Sequence, residues 1–196
     1  EIVVTALKSH FQNSQKYLIA MVQVEEPSKP ELAKFKSGIP VQRAARVTVL
    51  DKKNNEVHEC VVTMDGKILS TKVIEGAKAP ILSIESEKAV AAVMADPRII
   101  AALKKRGIGD VSLVQMETWS IGAQIPEHLD DGRRLIWTPM WLKPEPKANF
   151  YAHPIAGLHA IVDLANFSVV AIEDDPSVDI PQTPGPYRES QTGANI

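Results

Sequence analysis

The chain has 196 residues, an apolar fraction of 44% and a formal charge of −2, values of ordinary globular protein with room for one large or two small domains. A charge this near zero argues against a nucleic-acid surface, whose footprint is a basic stripe. No stretch approaches the run of about 20 apolar residues that a membrane span needs, and the lone Cys60 excludes an internal disulfide and a cysteine-based zinc site.

From the N-terminus, Val3, Leu7 and Phe11 recur at four-residue spacing, which places them on one face of a helix. The chain opens without a basic segment leading into an apolar one, which leaves the compartment open with the cytoplasm as default. Tyr17 to Val24 reads as a strand that ends at Glu25-Glu26-Pro27, because proline removes a ladder donor. Arg46 to Leu50 and Val57 to Met64 flank the polar link Asp51-Lys52-Lys53-Asn54-Asn55 and read as antiparallel neighbours. Asp65-Gly66 then suits a type I′ turn onto Ile68 to Ile74.

The order restarts after Gly76-Ala77-Lys78-Ala79-Pro80. Ser86 is placed to cap a helix carrying Val90, Val93 and Met94, and Asp96-Pro97 is a second start signal matched by a stop at Lys104-Lys105-Arg106-Gly107. Strands follow at Val111 to Trp119, Arg134 to Leu142, Leu158 to Leu164 and Phe167 to Ile172. The expected fold is therefore α+β: two tandem domains, residues 1–80 and 81–175, each a helix packed on an antiparallel sheet of about four strands. Residues 176–196, rich in proline and poor in apolar residues, read as a linker.

Few side chains are placed for chemistry. Of the five histidines, His153 and His159 are nearest in sequence, yet six extended residues separate them by about 20 Å, so a shared metal is disfavoured and a backbone hydrogen bond is expected of His153. Glu25-Glu26, Asp130-Asp131 and Asp174-Asp175 lie in polar turns and read as solvated charge. Ser120 near Gly122 lacks a nucleophile elbow, and Gly107-Ile108-Gly109 lacks the strand before it that a phosphate loop requires. Cys60, in an apolar run, reads as a buried, inert thiol. Trp137 and Trp141 share parity on one strand and should bury one face of it. In Gly132-Arg133-Arg134-Leu135, adjacent strand residues face opposite ways, so one arginine should pair with acidic groups on the sheet surface while the other stays free, unless both are simply solvated.

The segment Phe150-Tyr151-Ala152-His153-Pro154-Ile155-Ala156-Gly157-Leu158, continuing to Val162-Asp163 and then Val170 to Asp174, resembles the aromatic-Ala-His-Pro-Ile-x-Gly-Leu segment of the small domains in copper-containing amine oxidases. Further pieces resemble that family in its own order: Glu26-Pro27-Ser28-Lys29, Arg46-Val47 to Asp51, Val57 to Val62, Arg106-Gly107-Ile108, Trp119-Ser120-x-Gly122 and Gly132-Arg133-Arg134-Leu135. Individually these are common; the ordered set, over roughly residues 1 to 187, is specific.

The resemblance implies cystatin-like folds and a place before the catalytic domain of an enzyme that uses copper and topaquinone. It further implies oxidative deamination of primary amines by O₂, with the absent catalytic domain as partner and a homodimer as the full assembly. The chain contains no Asn-Tyr pair and no His-x-His, the family's quinone and copper motifs, so no catalytic, cofactor or metal residue is assigned within it. Tyr151, with Phe150, matches the position where the family places an aromatic at the mouth of the amine channel; packing within the domain's own core is the alternative. At the level of function, the alternatives are a stand-alone cystatin-like binding or scaffold module and a small enzyme with an unrecognised site.

Overall fold

In the computed structural model, the described residues are 1–12, 15–33, 35, 41–122, 125–144 and 149–182. The chain divides into two compact units, Glu1–Pro80 and Ile81–Ile196. Among the described residues no helix is long and apolar enough to cross a membrane.

The first unit begins with α1 (Ile2–Phe11), which buries Val3 and Leu7 one turn apart. Then come β1 (Tyr17–Glu25), the short α2 (Lys29–Ala33), β2 (Ala44–Asp51), β3 (Glu56–Thr63) and β4 (Ile68–Ile74). The four strands form one antiparallel sheet in the order β1-β2-β3-β4. Alternation decides which face is covered: Ala45, Val47 and Val49 point inward beside Cys60 and Val62, and α1 closes over them. Cys60 is fully buried, and burial pushes its thiol pKa up, as expected of an inert cysteine. The opposite face carries Arg46, which forks onto Glu25 (2.6 and 2.7 Å) and reaches Glu59 (2.9 Å) across three strands. The Asp65-Gly66 turn departs from the type I′ expectation: only Gly66 has positive φ, and its N–H donates to the Thr63 carbonyl. Thr63 and Asp65 side chains bond each other, which holds Asp65 in an ordinary conformation and leaves the left-handed step to glycine.

The second unit is larger than one helix on four strands. It contains α3 (Ser83–Ala95), α4 (Pro97–Lys105), β5 (Val114–Met116), β6 (Trp119–Ser120), β7 (Leu135–Leu142), β8 (Pro154–Asp163) and β9 (Ser168–Asp174). The five strands are antiparallel in the order β5-β7-β8-β9, with β6 paired to β7. Asp96 accepts the Arg98 N–H at 2.8 Å with Pro97 at the first helical position, and Gly107 takes φ +79 after α4, so both punctuation signals hold. Ser86 does not cap α3. The helix starts a turn earlier, Glu85 accepts the Leu82 N–H (3.0 Å), and Ser86 meets the Thr118 hydroxyl instead (2.7 Å). The apolar stretch from Val111 is not one strand: Val111–Leu113 is a 3₁₀ turn whose cap, Asp110, accepts the Ser112 N–H. Pro139 sits where the β7–β8 register breaks, which places its missing donor at an irregularity.

Ala89, Val93, Ile99, Ala102 and Leu103 of the two helices pack onto Ile136, Met140, Leu158, Ala160 and Val162, one face of this sheet. Arg134 and Glu85, each 8% exposed, form a buried pair at 2.6 Å that ties the start of β7 to the first turn of α3. Arg133 is not free; it bonds Asp131 and lies 3.6 Å from Asp163. Both arginines are therefore committed within the unit. Residues 176–182, expected as the first part of a linker, lie against it: Ile180 packs on the core and His153 Nδ1 is 2.7 Å from the Pro181 carbonyl. Residues 183–196 of that expected linker lie outside the described residues.

Candidate functional site

The helix-free face of the second sheet carries a row of aromatic side chains. Pairing sets it up. Trp119 of β6 is opposite Trp137 of β7, and His159 of β8 is opposite Glu173 of β9. Trp137 and Trp141 share a face through their common parity, as expected, with Trp141 buried and Trp137 half-buried. Ring contacts then run along the sheet: edge-to-face from His159 to Trp137 (5.2 Å) and Trp137 to Trp119 (5.4 Å), tilted from Trp119 to Trp141 (6.0 Å), and edge-to-face from Trp141 to Tyr151 (5.4 Å).

Phe150 and Tyr151 end the row, on a 3₁₀ turn whose cap, Asn149, accepts the Tyr151 N–H at 3.2 Å. Their rings lie 4.2 Å apart. Tyr151 is 55% exposed, so it is not a core residue of its own domain. Its hydroxyl donates to one oxygen of Glu117, and the Trp119 indole N–H donates to the other at 2.9 Å. The hydrogen bond to Glu117 raises the phenol pKa above its ordinary value, burial adding to it, so Tyr151 presents a neutral hydroxyl. Sequence reasoning missed Glu117 because the strand expected there is interrupted. It missed the His159–Glu173 contact (3.0 Å) because cross-strand register is not visible in one segment.

His153 takes the role expected of it, a hydrogen bond to backbone, though its partner is Pro181 rather than a neighbour in sequence. It and His159 have separate partners. Among the described residues, one group could offer metal ligands within 4.8 Å of one another: Asp51, Glu56 and His58, brought together by the β2–β3 hairpin. Sequence alone hid it, since Asp51 and Glu56 become opposite only once the hairpin forms. Lys16 already stands 2.8 Å from Asp51. Burial works to raise the Asp51 carboxyl, but Lys16 and the Asn54 and Lys53 amides outweigh it and hold its pKa below the ordinary value. The group thus offers one histidine and two carboxylates, one of them already paired with the Lys16 ammonium.

An antiparallel α+β architecture of this kind recurs in a solved enzyme. The fold matches a copper-containing benzylamine oxidase from Hansenula polymorpha with a TM-score of 0.71, at 16% identity, covering 100% of this chain and 34% of that one. Residues 84–190 match the copper amine oxidase N3 domain, more than half of the chain, and the chain belongs to the copper amine oxidase family. It is 31% identical over 192 residues to a primary amine oxidase of Arthrobacter sp. (strain P1), covering 97% of this chain and 29% of that protein. It is 32% identical over 171 residues to a primary amine oxidase of Klebsiella aerogenes, covering 85% and 22%. With a peroxisomal copper-containing diamine oxidase of Nicotiana tabacum it shares 30% over 154 residues, covering 71% and 20%. The chain thus spans less than a third of the length of these relatives.

Proposed function

We propose that this chain is the non-catalytic N-terminal region of a copper and topaquinone amine oxidase, which converts primary amines and O₂ to aldehyde, ammonia and hydrogen peroxide. In this reading residues 1–80 and 81–175 are two tandem cystatin-like domains, and residues 176–196 lead toward a catalytic domain that supplies copper, quinone and the homodimer interface. The region covers that domain and shapes the path of the amine, with Tyr151 and Phe150 lining the channel. One observation carries the channel assignment: an aromatic side chain from the family segment stands 55% exposed, held in place by Glu117 rather than folded into the core.

The test is Tyr151→Ala in the full-length enzyme. A channel wall acts before chemistry, so kcat/KM for aromatic or long-chain amines should change while kcat for methylamine stays nearly constant. Thermal stability should change little, because the side chain is largely solvated. Unshifted selectivity between bulky and small amines would defeat the channel role.

A further inference from the structure

A cavity of about 360 Å³ opens on the helix-free face of the second sheet, beyond Trp119 and away from the Tyr151 turn. Four strands contribute to it. Trp119 comes from β6, Trp137 from β7, His159 and Ile161 from β8, and Glu173 from β9. The two indoles meet at 73° and the Trp137 and His159 rings at 84°, so three rings that line the space stand at steep angles to their neighbours.

The chemistry of the lining selects one ligand class. Among the described lining residues there is no lysine or arginine, and Glu173 supplies the carboxylate. Burial pulls the His159 pKa below its ordinary 6.5, against the opposing pull of Glu173 at 3.0 Å, so at neutral pH the imidazole is uncharged and leaves the carboxylate charge uncancelled. An anion meets repulsion from this carboxylate. Among the described lining residues a small hard metal ion finds one imidazole, one carboxylate and the Ser120 hydroxyl, fewer than the four ligands that zinc takes or the six that calcium takes. A large, weakly hydrated organic cation meets indole faces, whose quadrupoles attract it, and a carboxylate at the rim.

The geometry points to a binding site for a small organic ammonium, of the methylated kind that fills an aromatic corner, held in the corner that Trp119 and Trp137 form, with Glu173 as counter-charge. This site takes no part in bond-making and stands independently of the channel assignment. A quaternary ammonium has no N–H and cannot be deaminated as a primary amine, so its binding reports this pocket alone.

The experiment is a titration of the 196-residue chain with choline at constant ionic strength, followed by the indole N–H resonances of its three tryptophans, with 3,3-dimethyl-1-butanol as the neutral isostere. Choline should shift the Trp119 and Trp137 signals saturably, and the isostere should bind about tenfold more weakly. Trp119→Ala and Glu173→Gln, both at exposed positions that the core does not need, should each weaken choline binding by about fivefold or more. An isostere that binds as well as choline would overturn the assignment. Equal choline affinity in both variants, or no saturable shift in the wild-type chain, would do the same.

Discussion

The two units place their principal ion pairs in opposite environments. In the first, Arg46 bridges Glu25 and Glu59 on an open sheet face, with side chains 38%, 27% and 32% exposed. In the second, Arg134 and Glu85 are each 8% exposed, with Glu85 in the first turn of α3. Water competes with the first cluster and screens it; it has little access to the second, where removing one charge leaves the other buried. The same residue types therefore give a surface brace in one unit and an internal tie between helix and sheet in the other.

The sharpest way to break that comparison is Arg134→Ala. It leaves the Glu85 carboxylate buried without its guanidinium, which should cost about 3–5 kcal/mol. All three tryptophans lie in the second unit, so denaturant unfolding followed by tryptophan fluorescence reads that loss directly. A shift near zero would show that the pair is solvated. A smaller effect is expected from Asp51, whose folded pKa lies below its ordinary 3.8. Its stabilisation is present above that value and is lost as pH falls through the folded one. Amide exchange in β2 and β3, compared at about pH 5 and pH 2, should therefore show a larger acid loss in the wild type than in Asp51→Asn. The smallest effect belongs to Arg46→Ala. Protection of the buried Cys60 thiol from labelling reports opening of the first unit, and it should be nearly unchanged. Marked acceleration would mean that the exposed fork is worth more than its solvation suggests.

Much of the architecture was legible because it depends on local chemistry. The four-residue spacing of Val3, Leu7 and Phe11, the Asp96-Pro97 start and the strand Ile68–Ile74 are each written within a few residues, and each appears where expected. Helix α3 starts a turn before the expected place because Glu85 rather than Ser86 satisfies the first turn, and Glu85 is held there by Arg134, 49 residues away at the entry to β7. The stretch after Asp110 was overread because apolar residues in a 3₁₀ turn look like those of a strand. In the aromatic row, the common face of Trp137 and Trp141 followed from parity. Its extension to Trp119, Glu117, His159 and Glu173 required the pairing of β6, β7, β8 and β9, which no single segment encodes.

The His-Pro-Ile-Ala-Gly segment has a consequence of another kind. Gly157 has φ +75, and an added Cβ there would sit 2.5 Å from the Asp175 carbonyl oxygen, while its own carbonyl takes the Asp175 N–H at 2.7 Å. A little further on, Pro181 meets His153. Strand β8 and the His153 just before it thus grip the following chain at two points, like two pegs holding a ruler. Between the pegs, an exposed side chain such as that of Asp179 can vary freely, but the number of residues cannot. Natural variants of this stretch should accumulate substitutions and avoid insertions and deletions, since one residue more or fewer pulls a peg from its hole.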